Sequence, residues 1–335
     1  MLKWSAFATA TLLSLIPALA QSPDAFFRGK TLTWTVGYPP SGGFDAYSRA
    51  AARFFGKNIP GNPNVIVSNM PGASSLQFVR WLANVAPKDG TAFGMFNRGL
   101  MPKSVLEPNE TRVDFTKFGW IGSMNSEYAV CYTWGGKKIA SLDDLKRTRI
   151  TLGDTSKNSG GYIYTSMLRW LAPENARVVL GYATTGDIWL AIERGEIDGN
   201  CTLVSSLQTQ RPDWLAQKKV DVLVQFAPTR QPGFESVPTI FELIKDENET
   251  QAVHFLIASE AIGRPVIAPP GVPTDRLAAL RKAFLDTMKD PEFLDYARKA
   301  QMDIDPVAGE AAQKIADDIQ KTPAAAVEVA RKLMD

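Results

Sequence analysis

The chain has 335 residues, of which 45% are hydrophobic and 21% charged, and its formal net charge is +2 at pH 7. This composition is typical of a globular protein and excludes a disordered chain. The near balance of charge argues against nucleic-acid binding, which needs a concentrated basic surface. The single histidine, His254, excludes catalysis by a histidine pair and argues against zinc sites and hydrolytic triads. We expect His254 to be a partly buried structural residue near a strand.

The first twenty residues predict a secretory signal peptide. Lys3 precedes an apolar run that ends at Pro17, and Ala18 and Ala20 provide small residues ahead of Gln21. The run is shorter than the roughly 20 apolar residues that a membrane-spanning helix needs. We expect cleavage after Ala20 without a lipid anchor. Removing 20 of 335 residues leaves a mature chain of 315, with 36 basic and 35 acidic residues once Lys3 is gone, in the periplasm.

From Lys30 onward the sequence repeats one unit: a β-branched strand, a polar loop and an amphipathic helix. This repetition predicts parallel α/β sheets. The predicted strands cover residues 31–37, 64–68, 91–96, 148–153, 177–180, 197–204 and 220–226. The loops that follow include residues 38–45, 69–75, 154–161 and 181–187.

The length of the mature chain favours two lobes. A new lobe begins near Ser126, and the C-terminal helices need a sheet to cover. We therefore predict a discontinuous first lobe from residues 21–125 and 256–335, and a second lobe from residues 126–255. Two crossings between the lobes would act as hinges, and ligand pockets favour the cleft between such lobes.

Four loops rich in glycine, serine or threonine lead into predicted helices, at residues 41–45, 72–75, 156–161 and 184–187. Unpaired amides at a helix N-terminus favour an anion, and glycine allows close approach to the backbone. Any single loop is also explained as an ordinary cap or turn. Neither GxGxxG after a strand nor GxxxxGK followed by Ser or Thr occurs, so we predict no phosphate cofactor.

Other side chains near these loops have two interpretations each. Arg98 follows a strand and could bind a ligand carboxylate in a bidentate pair, or it could be a solvated loop residue. Asp45 and Asp187 are more typical of helix caps than of acids. Four aromatic residues could line a pocket or pack between lobes: Tyr38, Phe44, Tyr162 and Tyr182. Export makes one disulfide between Cys131 and Cys201 possible, and two buried thiols fit equally well.

The motifs resemble those of a known family, the periplasmic solute receptors of tripartite tricarboxylate transporters, called Bug receptors. YPPSGGFD from Tyr38 resembles the Pro-Pro-Gly-Gly loop that ends in aspartate, and NMPGA from Asn69 resembles the Pro-Gly-Ala loop. PKDGTAFGM from Pro87, GYATTGDIWLAIERGEIDG from Gly181, VPTIFEL from Val237 and APPGVPTDRLAAL from Ala268 match further parts of the family pattern. The resemblance extends over essentially the whole mature chain.

This resemblance implies an α/β type II periplasmic-binding-protein fold that closes over a carboxylate. It places ligand contacts at Ser41, Gly42, Gly43, Asp45, Gly72, Ala73, Ser74, Asn97, Ser156, Asn158, Ser159, Gly160, Thr184, Thr185, Gly186 and Asp187. The family's glycine pair after Pro-Gly-Ala is Ser74 and Ser75 here, and its Gly-x-Gly-Ser with a nearby histidine is SKNSGGY. These differences concern the distal end of the ligand and therefore its identity.

We interpret the chain as a monomeric binding protein that captures a small di-, tri- or aromatic carboxylate and delivers it to a two-subunit membrane permease. Backbone amides of residues 41–43 would hold one carboxylate, and the second lobe the other end. We expect no enzyme activity, catalytic residue, metal or cofactor. The alternatives are a receptor that signals through a sensor partner and a periplasmic enzyme, although the sequence lacks a GxSxG elbow.

Overall fold

The computed structural model describes residues 21–136, 141–157 and 159–334. The predicted signal peptide and Asn158 lie outside the described residues. The strands are β1 Thr31–Val36, β2 Asn64–Asn69, β3 Ala92–Met95, β4 Gly119–Ser123, β5 Ala129–Trp134, β6 Ile150–Asp154, β7 Ala176–Leu180, β8 Gly199–Leu203, β9 Val220–Phe226, β10 Pro265–Ala268 and β11 Val307–Ala308.

The helices alternate with these strands along most of the chain. They are α1 Pro23–Phe27, α2 Gly43–Asn58, α3 Leu76–Asn84, α4 Leu100–Leu106, α5 Pro108–Thr111, α6 Leu142–Leu145, α7 Tyr162–Leu171, α8 Thr185–Glu193, α9 Val204–Gln210, α10 Pro212–Ala216, α11 Ile240–Leu243, α12 Glu247–Ile257, α13 Thr274–Lys289, α14 Pro291–Lys299, α15 Gly309–Gln320 and α16 Ala324–Met334. Short 3-10 turns form at Ala73–Ser75, Phe115–Lys117 and Ala258–Ala261. Within the described ranges, no helix is long and apolar enough to cross a membrane.

The strands form two sheets, one of six strands in the order β11-β4-β10-β3-β1-β2 and one of five in the order β7-β6-β8-β5-β9. The predicted parallel pairing holds for β1 with β2 and β3, and for β6 with β7 and β8. It is wrong for β9, a strand of the predicted repeat, which pairs antiparallel with β5. β5 also pairs antiparallel with β8, and β10 and β11 pair antiparallel with their neighbours, so both sheets are mixed. The chain enters β5 and β10 directly after it crosses between the sheets. Both strands therefore start at the side of the sheet where the crossing lies and run away from it, which makes them antiparallel to their neighbours.

Apolar strands and helix faces build the core on both sides of each sheet. Trp34 on β1 is fully buried and packs edge-to-face against Phe55 and Phe93, with ring centroids 5.5 and 5.4 Å apart. In the second sheet Trp214 packs in the same manner against Tyr132 and Trp134. Large aromatic rings at these positions bury much apolar surface, which is the main stabilising term for each sheet.

The C-terminal helix α16 contacts α12 and α7, which cover the second sheet, whereas α15 contacts β4 of the first sheet. This packing favours assigning α16 to the second lobe. The division into residues 21–125 with 256–335 and residues 126–255 stays a prediction. His254 lies on α12 rather than near a strand, and its ring stacks on Phe241 with centroids 4.1 Å apart.

Cys131 and Cys201 are direct partners on the antiparallel strands β5 and β8, and they form a disulfide. The sequence left this pairing open. The register of the two strands brings the Cα atoms within 4.0 Å although 70 residues separate the cysteines in the chain. The disulfide thus links β5 to β8 near the side of the second sheet where the chain enters it.

We expect the double substitution of Cys131 and Cys201 with alanine to lower the free energy of unfolding by about 2–4 kcal/mol, because a loop of this length is then released in the unfolded chain. Urea unfolding of the wild type with and without reductant measures the effect. The double variant is the control and should not respond to reductant. Equal midpoints for all samples would contradict the expectation.

Candidate functional site

A cavity of about 210 Å³ lies between the two sheets, at the carboxyl ends of β1, β3, β6 and β8. The chain crosses between the sheets at residues 124–128, the first crossing, and at residues 258–264, the second crossing. The walls of the cavity come from both sheets and from the second crossing. The lining residues are Tyr38, Phe44, Asn97, Arg98, Gly99, Asp154, Thr155, Ser159, Gly160, Gly161, Ile163, Tyr164, Thr185, Ile188, Asn200, Cys201, Thr202, Leu203, Ser206 and Glu260. Ligands of open α/β sheets bind at such strand ends, so this cavity is the candidate ligand site.

A second cavity of about 390 Å³ adjoins the first and shares Asn97, Gly99, Ser159, Gly160 and Ile163 with it. It extends towards α3, α4 and the end of α16. Its walls are mainly apolar, with Leu76, Leu100, Leu106 and Met334, and carry Lys103 and Lys157. The cleft is therefore elongated, polar at one end and more apolar at the other.

The structure brings together some of the ligand contacts predicted from the sequence. Six line the first cavity: Tyr38, Asn97, Arg98, Ser159, Gly160 and Thr185. Ala73 and Ser74 line the second. The remaining described candidates line neither cavity: Ser41, Gly42, Gly43, Asp45, Gly72, Ser156, Tyr182, Thr184, Gly186 and Asp187. Whether these residues bind a ligand in a more closed form stays a prediction.

Asp45 holds the loop of residues 38–45 in place. Its carboxylate accepts hydrogen bonds from the Ser41 amide at 3.0 Å, from Arg49 Nε at 2.9 Å and from Asn69 Nδ2 at 2.9 Å. Burial raises the pKa of Asp45, but these hydrogen bonds outweigh burial and bring the pKa below its ordinary value. Asp45 therefore positions the first loop and joins it to the end of β2.

Residues near the two ends of this loop bring two aromatic rings to the cavity. Tyr38 stacks on Phe44 with centroids 4.7 Å apart. The Arg264 guanidinium lies 4.8 Å from the centroid of the Phe44 ring, and a Cβ atom on Gly43 would lie 3.5 Å from Arg264 Nη2. Arg264 is itself paired with Glu127 at 3.0 Å. The N-terminus of α2 therefore lies beside a buried ion pair.

The loop of residues 69–75 has an unusual backbone. Ala73, Ser74 and Ser75 all have positive φ values, of 45°, 52° and 78°. Ser75 is buried, and its Oγ donates to the Gly37 carbonyl at 3.1 Å and accepts from the Asn97 amide at 3.2 Å. Ser75 therefore ties three strand ends together. The positive φ values explain why glycine is usual here in the family that the sequence resembles.

Arg98 is buried and already paired within the protein. Its Nε donates to Glu260 Oε2 at 2.8 Å, its Nη2 binds the same oxygen, and its Nη1 donates to the Gly263 carbonyl at 3.3 Å. Burial lowers the pKa of Arg98, but the charge of Glu260 outweighs burial, and the pKa stands above its ordinary value. A ligand carboxylate would have to compete with Glu260 for this guanidinium.

Tyr164 and Glu260 complete this wall of the cavity. Burial, and then the charge of Glu260, raise the pKa of Tyr164 well above its ordinary value, so its hydroxyl is neutral. Sequence reasoning missed both residues. Glu260 lies 162 positions from Arg98 in the chain, and no local pattern indicates that they meet.

A second buried ion pair joins the two crossings. Arg264 Nη1 lies 3.0 Å from Glu127 Oε1, and Glu127 Oε2 accepts from Ser205 Oγ at 2.6 Å. The backbones are paired as well: the Glu127 amide donates to the Glu260 carbonyl at 2.8 Å, and the Gly263 amide donates to the Asn125 carbonyl at 2.8 Å. The two crossings thus form one hydrogen-bonded unit beside the cavity.

The second-lobe wall is built around Asp154, at the end of β6. Its Oδ1 accepts hydrogen bonds from the Thr155 amide at 2.7 Å and from Ser159 Oγ, and its Oδ2 from Thr165 Oγ1 at 3.3 Å. Burial raises the pKa of Asp154 above its ordinary value in spite of these bonds. The sequence placed Asp154 in a polar loop without a role, and its position directly after a strand was the available signal.

The loop before α8 is held in place by hydrogen bonds between its own residues. Thr184 and Asp187 form a capping box, in which Asp187 Oδ2 accepts from the Thr184 amide at 2.9 Å and Thr184 Oγ1 accepts from the Asp187 amide at 3.2 Å. Asp187 is a helix cap, as its position suggested. Thr185 is the residue of this loop that reaches the cavity.

In the described part of the chain, no group of three or more His, Cys, Asp or Glu side chains could hold a metal ion.

Sequence comparison finds a relative among curated proteins. A UPF0065 protein from the tcbD–tcbE intergenic region of Pseudomonas sp. strain P51 is 27% identical over 230 residues, which cover 67% of this chain and 66% of that protein. The chain therefore aligns with just under two thirds of the length of this relative. No protein-family profile matches the chain.

Solved structures share the architecture over nearly the whole chain. A TctC solute binding protein from Polaromonas superposes with a TM-score of 0.69 at 19% identity, over 90% of this chain and 98% of that one. The periplasmic binding protein BugD gives 0.64 at 18% identity, over 91% and 97%. MatC from Rhodopseudomonas palustris, with bound malate, gives 0.63 at 16% identity, over 91% and 99%.

The chain thus has the fold of a periplasmic binding protein, two α/β lobes with a ligand cleft between them, as predicted. The structural neighbours confirm the resemblance to the solute receptors of tripartite tricarboxylate transporters, the Bug receptors.

We expect Ser74→Gly to raise the free energy of unfolding by about 0.5–1 kcal/mol, because glycine adopts a positive φ without the strain that a side chain introduces. Urea unfolding measures the change. Ser236→Gly is the matched control, since Ser236 is exposed and its φ is not positive, and it should leave stability unchanged or lower it slightly. A loss of stability in Ser74→Gly equal to that of the control would refute the strain argument.

Proposed function

We propose that this protein is a periplasmic solute-binding protein that captures a small carboxylate in the cleft between its sheets and delivers it to a membrane permease. The main support for this proposal is the cavity between the two sheets. Residues from four strand ends meet there, and the N-termini of α7 and α8 border it. A site assembled from residues of both sheets suits reversible capture by closure better than turnover on one rigid surface.

The chemistry of the first-lobe wall supports a carboxylate as the anchor group. A carboxylate that leaves water must be surrounded by hydrogen-bond donors or cations. The start of α2 has backbone amides beside the Arg264–Glu127 pair, and Phe44 of this helix reaches the cavity. Asn97 adds an amide group at the same wall. MatC binds malate, a hydroxy-substituted acid, which supports a carboxylate as the anchor group in a chain of this fold.

The paired crossings support a hinge as the moving part. Residues 124–128 and 258–264 are the segments that connect the sheets, and backbone hydrogen bonds and the Arg264–Glu127 pair hold them together. A rotation of one lobe about this unit would open the cleft without unfolding either sheet. Ligand contacts on both walls would then favour the closed form.

Binding is tested with mature protein, refolded from denaturant to remove bound solute, against di-, tri- and aromatic carboxylates in a thermal-shift assay. A ligand at 100 times its Kd adds about 2.7 kcal/mol, so we expect the melting temperature to rise by several degrees. Gly160→Leu should remove this rise. Gly160 lines both cavities, and a Cβ there would meet no atom within 4 Å, so the variant should fold.

Ala25→Leu is the control, because Ala25 is exposed on α1, away from the cavities. It should retain the full ligand response. No response to any carboxylate by folded wild-type protein would reject the carboxylate ligand. A response that Gly160→Leu leaves intact would place the site outside this cleft.

Delivery is measured separately, as uptake of the identified ligand by cells with and without the gene. Unchanged uptake would favour the sensing alternative.

A further inference from the structure

The second-lobe wall of the cavity contains a group of hydrogen-bond acceptors beside the N-termini of α7 and α8. Asp154, Asn200 and the Cys201 carbonyl lie side by side where β6 and β8 end. A Cβ atom on Gly161 would lie 3.1 Å from Asp154 Oδ2 and 3.3 Å from the Cys201 carbonyl oxygen, so both oxygens point towards the start of α7. A ligand group placed against these three residues meets acceptors, which suit a donor better than a carboxylate.

One acceptor in this group, Asn200 Oδ1, has no donor among the described residues. Asn200 is 2% exposed and its Nδ2 donates to the Gly153 carbonyl at 2.6 Å, which fixes the amide orientation. Its Oδ1 is buried and has no partner among the described residues. A buried acceptor without a donor is unfavourable by about 1–3 kcal/mol. Asn200 also lines the cavity, so a ligand there can supply the missing donor.

One oxygen of Asp154 is also only partly satisfied by hydrogen-bond donors. Oδ1 has two donors, the Thr155 amide and Ser159 Oγ. The Ser156 backbone also donates to this carboxylate. The contact of Oδ2 with Thr165 Oγ1 is long, at 3.3 Å, and the same hydroxyl lies 3.2 Å from the Gly161 carbonyl. A hydroxyl carries one proton and cannot donate fully to both. Asp154 Oδ2 therefore keeps capacity for a second donor.

The charges in the cavity lead to the same conclusion. The charged residues that line it are Arg98, Asp154 and Glu260, one cation and two acids. Glu260 neutralises Arg98 in a buried pair, so Asp154 faces the cavity without a cation among the described lining residues. A second ligand carboxylate at this wall would meet a like charge in a site of low dielectric constant.

We infer that the ligand carries a hydrogen-bond donor, an ammonium, amino or hydroxyl group, at the end opposite its carboxylate, and that Asp154 and Asn200 bind this group. The inference rests on the proposed function and narrows its ligand class. Amino- and hydroxy-substituted monocarboxylates fit the cleft, and unsubstituted dicarboxylates do not.

The test compares ligands of matched length on refolded mature protein by isothermal titration calorimetry. One set is 4-aminobutanoate, 4-hydroxybutanoate and butanedioate; the other is 4-aminobenzoate, 4-hydroxybenzoate and benzene-1,4-dicarboxylate. We expect the best donor-bearing member of a set to bind at least tenfold more tightly than the dicarboxylate, about 1.4 kcal/mol. The amino and hydroxy members separate a charged from a neutral donor.

Asp154→Asn keeps the shape of the side chain and removes its charge. We expect it to weaken the donor-bearing ligand at least tenfold and to reduce the preference over the dicarboxylate. Asn200→Ala is the second variant and should weaken the same ligand without altering the charge of the site. Asp143→Asn, which removes an exposed acid of the second lobe, is the control and should bind like the wild type. Melting temperatures establish that each variant is folded.

Two results would overturn the inference. If dicarboxylates bind as tightly as the donor-bearing acids, and Asp154→Asn leaves the preference unchanged, the inference fails while the carboxylate receptor stands. If no acid of either set, and none of the wider carboxylate panel, binds to folded protein, the proposed function fails and the inference fails with it.

Discussion

Two buried ion pairs hold the structure together at the point where its halves meet. Arg98 follows β3 and pairs with Glu260 in the second crossing. Arg264, also in the second crossing, pairs with Glu127 in the first crossing. All four side chains are buried. A charge taken out of water without a partner is strongly destabilising. The pairs therefore admit only a narrow range of positions for the two crossings relative to the first sheet.

This constraint also shapes the candidate site. The Arg98–Glu260 pair forms part of the cavity wall, and Arg264 lies against Phe44 and beside Gly43. Both arginines donate to the Gly263 carbonyl, at 3.3 and 3.2 Å, so the two pairs adjoin each other. In the hinge mechanism proposed above, a substitution in either pair would alter the cavity wall as well as the crossings, and binding would be coupled to closure.

The polar loops are organised by the protein's own carboxylates. Asp45 accepts from the first loop, Asp154 from the loop before α7, and Asp187 from the loop before α8. Glycine- and serine-rich loops at helix N-termini suggest anion sites, and each of these loops already contains an anion. What remains for a ligand differs from wall to wall, with backbone amides beside paired arginines on one side and the unpartnered Asn200 Oδ1 beside Asp154 on the other.

Local periodicity and turn chemistry predict the α/β fold, most strands and the polar loops that follow them, because these features depend on residues close together in the chain. Tyr38, Ser159 and Thr185, which line the cavity, lie in loops predicted in this way, whereas Asn97 was predicted from the family resemblance. The pairing of Arg98 with Glu260, the position of Cys131 opposite Cys201 and the wall formed by Asp154 and Asn200 are visible only in the folded structure. These contacts join residues far apart in the chain, through strand register and sheet order, and no local pattern encodes them.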